Sequence, residues 1–366
     1  MKSFQKFFCL ILLACLPFSC VACSSRNPAP GNPTTATQKP ATAPTQADKA
    51  PAAEILQGKK VLFVGCSFSY YGGTVCPAGD STTGTNYADY AQEKREHDNG
   101  FFYQLCKANG VEVNVTDWTF GGHNLKEILG GACTRSKCKE GSPEGHLEAL
   151  KDRCFDYVIL NEIRRDGESA QEICSSIEGY VNIFKEANPN VKVYYIVHDG
   201  VYVSGYEKTW LESVELIEKT GVTILDWGTL VYDIIKGNTA VPDATQEYRK
   251  STFLVSQPKD SYHPNILTGY LYALMTYCAI TGESAEGQPY GFCWDPGNAA
   301  YPISKRFDID IFKSAYYTLD NPNTDWDERD TNFDKVLASA EDMKGLQQLV
   351  NLYLDDDTNA WKKHLG

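Results

Sequence analysis

The segment KVLFVGCSFS, residues 60–69, decides the fold that this sequence predicts. Leu62, Phe63 and Val64 form a continuous apolar run, which is typical of a parallel strand buried on both faces of a sheet. Gly65 then permits a tight exit from the strand. The pattern predicts a central strand that presents Ser67 at the carboxyl edge of the sheet, where open α/β folds bind ligands.

Strands and helices alternate over the segment that follows. Further strands are predicted at 111–118, 155–160, 191–197 and 222–225, and helices at 101–108, 143–151, 169–187, 205–219, 230–236 and 266–281. This alternation predicts a parallel sheet with helices on both faces. The remainder, residues 286–366, is expected to be a C-terminal helical extension that includes a helix at 334–354 and carries no catalytic chemistry.

The N-terminal residues have the pattern of an export signal. Lys2 and Lys6 precede an apolar core at residues 7–18, and small residues follow. Residues 19–25 resemble a bacterial lipobox, so residues 1–23 are expected to be a lipoprotein signal peptide and Cys23 the lipidated residue. Cys20 is the alternative position, and ordinary cleavage to a soluble secreted protein is the alternative outcome.

Residues 24–56 are rich in Pro, Thr and Ala and are expected to be a disordered tether, followed by a globular domain at 57–285. A tether behind a lipidated cysteine would hold that domain away from the membrane surface. The sequence thus predicts an exported protein, anchored by lipid to the bacterial cell envelope and facing the periplasm or the exterior.

Composition excludes several classes of partner. The formal net charge is −13 without a basic cluster, which argues against nucleic acid and against anionic lipid surfaces. The high aromatic content suits stacking on sugars. No Cys-x-x-Cys pair stands in the globular part, so no metal site is expected. Many cysteines are expected to form disulfides in an oxidising compartment, among them Cys76, Cys106, Cys133, Cys138, Cys154, Cys174, Cys278 and Cys293.

A serine hydroxyl needs a base and a group that orients the base before it can attack an ester. Asp260 and His263 lie three residues apart just before a predicted helix, so one loop can supply both. Ser67, His263 and Asp260 are therefore the predicted nucleophile, base and orienting carboxylate. The pair His198-Asp199, at the end of another strand, is a rival source of the base.

Donors for an oxyanion are predicted in two further loops. Gly121 and Gly122 stand where the second strand meets a helix, so a backbone N–H there can face a ligand. Asn161 follows the third strand and could donate its side-chain N–H. Its neighbour Glu162, together with Arg164, is expected to belong to a solvated or ion-paired loop.

With these residues in place, the chain resembles the SGNH hydrolase superfamily, the GDSL-type esterases, over roughly residues 58–285. Gly65-Cys66-Ser67-Phe68 is similar to the first family block, Gly-Asp-Ser-Leu, with Cys66 in place of Asp. Gly122 stands where the second-block glycine lines the oxyanion hole, and 260–264 is similar to the last block, Asp-x-x-His. The third block, Gly-x-Asn-Asp, is replaced by a sequence in which Asn161 is the nearest candidate.

The resemblance implies a flavodoxin-like three-layer α/β/α fold with a parallel five-stranded sheet, and ester hydrolysis without a cofactor. It assigns the oxyanion hole to the N–H groups of Ser67 and Gly122, with Asn161 as a third donor. The predicted function is an extracytoplasmic serine esterase that removes acyl groups, most simply acetyl, from carbohydrate or another small ester. The alternatives are a surface glycan-binding lipoprotein with little or no hydrolase activity, and a lipase or thioesterase acting on long acyl chains.

Overall fold

The computed structural model describes residues 51–69, 101–119, 123–130, 146–150, 152–162, 168–197, 208–248, 253, 264, 266–290, 338–355 and 361–362. The predicted signal peptide lies outside these residues, and so does the predicted tether up to residue 50. Pro51–Leu56, within the range assigned to the tether, form helix α1, and Leu56 is fully buried. The folded part of the chain therefore includes these residues.

Five parallel strands form the sheet in the described part of the chain, in the order β2-β1-β3-β4-β5. This is the flavodoxin-like strand order, and it confirms the fold class that the sequence predicts. The strands are β1 Lys60–Gly65, β2 Asn114–Thr119, β3 Tyr157–Asn161, β4 Lys192–Ile196 and β5 Thr223–Leu225.

Strand β1 lies in the interior of the sheet, between β2 and β3, because the chain adds one strand on one side of β1 and the next strand on its other side. Val64 of β1 pairs with Trp118 of β2 and with Leu160 of β3. The strand order reverses between β1 and β3, so the loops that follow these two strands turn to opposite faces and leave a crevice between them. Ser67 follows the first of these strands and Asn161 ends the second.

Helices cover both faces of the sheet, as a fully buried sheet requires. In β1, Val61 and Phe63 belong to the core on one face, whereas Leu62 and Val64 belong to the core on the other. The helices are α1, α2 Phe101–Ala108, α3 Leu125–Leu129, α4 Ala170–Ala187, α5 Lys208–Glu218, α6 Trp227–Lys236, α7 Ile266–Thr281 and α8 Ala340–Leu354. Helices α1, α2, α6 and α7 pack on the first face, and α3, α4 and α5 on the second.

Helix α7 has no solvent-facing side over its central two turns. Every side chain from Tyr270 to Tyr277 is completely buried. A helix that packs only on a sheet would leave one face in water. Here α8 covers the outer face of α7, and Gln347 of α8 donates hydrogen bonds to the Tyr270 hydroxyl at 3.0 Å and to the Gln288 carbonyl at 2.8 Å. The C-terminal helix is thus part of the core of the α/β fold.

Two local expectations from the sequence differ from the structure. The helix expected at 143–151 contains, within its described residues, a single 3₁₀ turn at Leu147–Ala149. The cysteines Cys106, Cys154, Cys174 and Cys278 are free thiols, so the expectation that they pair is wrong for these four. Cys106, Cys174 and Cys278 lie on the buried sides of helices, where each thiol packs as a small apolar group. The remaining candidates, Cys76, Cys133, Cys138 and Cys293, lie outside the described residues.

Candidate active site

Strand β1 ends directly in the turn that carries Ser67. Ser67–Ser69 form a 3₁₀ turn in which the Ser69 N–H donates to the Cys66 carbonyl at 3.0 Å. Cys66, Phe68 and Ser69 are all buried, so the turn is anchored from both sides. The backbone of Ser67 is therefore held at the carboxyl edge of the central strand, as the sequence predicts; its side chain is outside the described set.

The ends of β1 and β3 approach each other closely next to this turn. A Cβ on residue 65 would lie 2.6 Å from the Asn161 carbonyl oxygen and 3.0 Å from the Asn161 Cβ. No side chain fits in that space, since real Cβ atoms do not approach backbone oxygen so closely. Gly65 thus permits the approach that brings Asn161 beside the turn of Ser67.

Asn161 is the last residue of β3 and has no exposed surface. Its Oδ1 accepts a hydrogen bond from the Cys66 thiol, with 3.6 Å between sulfur and oxygen. Its Nδ2 is buried and has no hydrogen-bond partner within the described part of the chain. A buried N–H without a partner costs free energy, and such groups concentrate at functional sites. Asn161 therefore carries a buried donor that no described residue satisfies.

Glu162, the next residue, is only 1% exposed, so of the two expectations for this position, a solvated or an ion-paired loop, the solvated one is wrong. Its Oε1 accepts a hydrogen bond from the backbone N–H of Leu125, the first residue of α3, at 3.0 Å. The carboxylate is buried because it satisfies a helix N-terminal N–H that has no partner within the helix. Arg164, expected in the same loop, lies outside the described residues.

A second side chain fixes Leu125 from the opposite side. The Tyr180 hydroxyl on α4 donates to the Leu125 carbonyl at 2.8 Å. Burial, followed by the nearby charge of Glu162, raises the pKa of Tyr180 well above its ordinary value. The hydroxyl therefore stays protonated and acts as a donor, and both backbone groups of Leu125 are held by side chains.

The residue before Leu125 is also tied to the region after β3. Asn124 caps α3: its side chain accepts from the Glu127 N–H at 2.8 Å, and its own N–H donates to Glu127 at 2.9 Å. The Asn124 Nδ2 donates to Glu168 at 2.7 Å. Glu162, Glu168 and Tyr180 thus hold the start of α3 against the end of β3. The predicted oxyanion donor Gly122 precedes this start by three residues.

The start of α7, which follows the predicted Asp260 and His263, is anchored at the same edge of the sheet. Helix α6 begins two residues after the end of β5, and its first residue, Trp227, donates its indole N–H to the Thr268 carbonyl at 3.0 Å. The Thr268 hydroxyl in turn donates to the carbonyl of Phe253. The first turn of α7 is therefore attached to the start of α6, which lies close to the carboxyl end of β5.

The structure brings together two of the predicted site residues, Ser67 through its backbone and Asn161. Gly122, Asp260 and His263 lie outside the described residues, as do the rival pair His198-Asp199 and the lipidation candidate Cys23. Among the residues that are described, no cluster of His, Cys, Asp and Glu could hold a metal ion. None of the described helices is long and apolar enough to cross a membrane.

Sequence reasoning missed three contributors to this edge of the sheet. The sequence predicted no contact for the Cys66 thiol or the Glu162 carboxylate at this edge, and it predicted Tyr180 only as part of a helix. Tyr180 stands at a core position of α4, where an aromatic residue is expected for packing alone. Only the fold places its hydroxyl against α3, so no local signal could have identified it.

No family model matches this chain, and no curated protein matches it in sequence. Solved structures similar to it include a protein from Parabacteroides merdae described as a GDSL-like lipase, with 12% identity, 63% of this chain and 98% of that chain covered, and a TM-score of 0.37. A carbohydrate esterase family 2 enzyme from Corynascus thermopiles has 13% identity, 62% and 67% coverage and a TM-score of 0.36. The acetyl xylan esterase AlAXEase has 15% identity, 58% and 96% coverage and a TM-score of 0.34.

The flavodoxin-like fold itself is established by the strand order and by the helices on both faces of the sheet.

Proposed function

We propose that this protein is a serine esterase that removes acyl groups, most simply acetyl, from carbohydrate outside the cytoplasm. The observation that carries the proposal is the buried Nδ2 of Asn161, which has no hydrogen-bond partner among the described residues and lies at the end of β3, beside the turn that begins at Ser67. A strand-end serine and a preorganised donor at the crevice between β1 and β3 are two of the parts that acyl transfer needs.

The reaction assigns each proton to a named residue. His263 takes the Ser67 hydroxyl proton as the Ser67 oxygen bonds to the acyl carbon, and Asp260 stabilises the imidazolium. The tetrahedral oxyanion accepts hydrogen bonds from the N–H groups of Ser67 and Gly122 and from Asn161 Nδ2. His263 then protonates the departing sugar oxygen. A water molecule repeats the sequence on the acyl-enzyme and releases the carboxylic acid.

The fold supports this assignment through the positions of the described neighbours of these residues. The start of α3, close behind Gly122, is held by Glu162 and Tyr180. The first turn of α7, behind His263, is attached to the start of α6 at the carboxyl edge. The loops that follow β1 and β2 meet at that edge because these strands are adjacent and parallel, and the segment before α7 is proposed to join them there.

The test is hydrolysis of p-nitrophenyl acetate by the purified protein and by the variants Ser67→Ala, His263→Ala and Asn161→Ala. We expect activity to be lost in the first two variants. Loss of one oxyanion donor typically lowers kcat by about 10²- to 10³-fold, and we expect this for Asn161→Ala. Full activity in Ser67→Ala would overturn the proposal. His198→Ala serves as the comparison for the rival base, and we expect it to retain activity.

The proposed location rests on the lipobox-like residues around Cys23. We expect the protein expressed in a bacterium to partition with membranes and to release into the soluble fraction when Cys23→Ala is introduced. Cys20→Ala distinguishes the alternative lipidation position, because only the true acceptor abolishes attachment of a labelled fatty acid.

A second candidate function is a surface glycan-binding protein on the same fold. The departure from the family pattern at the third block, where Leu160-Asn161-Glu162 stands, favours it. A glycan array separates the two functions. Tight binding of unmodified sugars without release of acyl groups from acetylated ones would favour the binding protein.

A further inference from the structure

Two residues at which this chain departs from, or only approximates, the GDSL pattern are in contact with each other. Cys66 replaces the aspartate of the first block, and Asn161 belongs to the altered third block. The thiol of Cys66 donates to Asn161 Oδ1 across 3.6 Å, both residues are fully buried, and Cys66 forms no disulfide with a described cysteine. The two departures are therefore linked in space.

The contact concerns the orientation of a carboxamide. The two ends of an Asn side chain have almost the same shape, but one accepts hydrogen bonds and the other donates them. An oxyanion is stabilised only by the N–H end, whereas the oxygen end would repel it. In the observed orientation Oδ1 faces Cys66, and Nδ2 is the end left without a partner in the described structure.

A thiol favours this orientation by its chemistry. Its S–H donates, although weakly, and its sulfur is a poor acceptor, so the amide oxygen is the better partner for it. An ionised aspartate at the same position could only accept, and it would attract the N–H end instead. With Cys66 at this position, the contact is made by the oxygen end of Asn161, and neither N–H of Nδ2 is used in it.

We propose that Cys66 is a positioning residue that holds the Asn161 carboxamide with Nδ2 directed to the oxyanion of the acyl-transfer reaction. The inference rests on the proposed esterase function and adds a residue to its machinery. Cys66 acts through Asn161. Substitution of Cys66 should therefore weaken the stabilisation of the transition state and leave the binding of the substrate almost unaltered.

The test is a double-mutant cycle on the purified protein with p-nitrophenyl acetate. Cys66→Ala removes the donor, and Cys66→Ser keeps one in nearly the same shape. We expect Cys66→Ala to lower kcat about threefold to tenfold, the range that one hydrogen bond contributes, with KM within about twofold of the parent. Cys66→Ser should recover most of the loss. In the Asn161→Ala background, Cys66→Ala should have no further effect on kcat.

Thermal unfolding of each variant separates effects on folding from effects on catalysis. If Cys66→Ala does not fold, Cys66→Val, which fills the site without a donor, replaces it in the cycle. An unchanged kcat in Cys66→Ala, or an equal loss in both backgrounds, would overturn the inference. Ser67→Ala keeps the two proposals apart. If that variant is inactive and Cys66→Ala is fully active, only the role of Cys66 fails; if Ser67→Ala is active, the esterase assignment fails.

Discussion

The backbone N–H of Leu125 donates to Oε1 of Glu162 at 3.0 Å, so the start of α3 is attached to the end of β3 by a buried carboxylate. The donor residue lies just behind the loop of Gly122, and the acceptor lies next to Asn161. One hydrogen bond thus couples the two loops that are proposed to supply oxyanion donors. A change in the position of this hydrogen bond is therefore expected to displace both loops.

Removing this carboxylate should destabilise the protein and reduce its esterase activity. Glu162→Ala leaves the Leu125 N–H buried without its acceptor, which typically costs about 1–3 kcal/mol of unfolding free energy. Glu162→Gln keeps an acceptor oxygen, so it should retain more of the stability and more of the esterase activity than Glu162→Ala does. Urea unfolding and p-nitrophenyl acetate hydrolysis measure the two effects.

Glu186→Ala, at an exposed position on α4, is the control for the loss of a glutamate and should behave as the parent. A Glu162→Ala protein as stable and as active as this control would show that the attachment is unimportant.

Gly65→Ala should impair the site by displacing the end of β3. The new Cβ would lie 2.6 Å from the Asn161 carbonyl oxygen, which is backbone and cannot rotate away. Since displacements of about 1 Å in an active site can cost 10²-fold in rate, we expect a loss of about 10- to 100-fold in kcat.

Gly179→Ala is the matched control for the glycine substitution. Its Cβ would also be crowded, at 2.8 Å, but by Leu129 Cδ2, the far end of a flexible side chain. We expect its activity to equal that of the parent. Comparable losses in the two variants would argue against a specific role for the approach of β1 and β3.

The stability of the protein should fall in acid partly through Asp342 in α8. Burial raises the pKa of this carboxyl, but hydrogen bonds from Thr245 and Ser339 outweigh burial and hold the pKa below its usual range. A carboxyl whose pKa is lower in the folded than in the unfolded state contributes stability above the unfolded pKa, about 4, and loses it as the pH falls through the folded value.

Asp342→Asn should therefore be less stable than the parent at pH 7, and the difference should shrink when urea unfolding is repeated near pH 3. Glu341→Gln changes the exposed neighbouring residue and should show no such difference. A gap between Asp342→Asn and the parent that stays constant with pH would contradict the assignment.

Alkylation of the native protein should distinguish its cysteines by burial. Burial, followed by the charge of Glu283, raises the pKa of Cys278 to about 12, and burial raises the pKa of Cys106. The thiolate is the reactive form, so iodoacetamide at pH 8 should label the exposed Cys154 first and reach Cys106 and Cys278 only after unfolding. Peptide mass spectrometry locates the labels. A disulfide-linked peptide containing any of these three would contradict the structure.

Much of the architecture could be predicted because local patterns and the fold agree. The apolar run of β1 became a central strand buried on both faces, and Ser169 caps α4 where the pattern of residues predicts its start. Helix α7 ends at Thr281, and the next residue, Gly282, has a φ of +74°, which suits glycine. In each case the residues that determine the element lie within or next to it.

The environment of individual polar and sulfur-containing groups could not be predicted in the same way. Glu162 looked like a loop residue, and it is buried because α3, from another part of the chain, supplies an N–H donor. Cys106 and Cys278 were among the cysteines expected to form disulfides, with no pairing assigned, yet both are free thiols within the helical layer. Solvation and pairing depend on what covers a side chain, and distant segments provide that cover.

The sequence by itself determined the order of strands and helices and the placement of Ser67 at the end of a strand, because these follow from apolar periodicity and from turn residues next to one another in the chain. Only the tertiary structure decided that Cys66 faces the Asn161 carboxamide, that Glu162 holds Leu125, and that α8 covers α7. These contacts join residues far apart in the chain. Their geometry exists only after the strands have paired and both helical layers have packed.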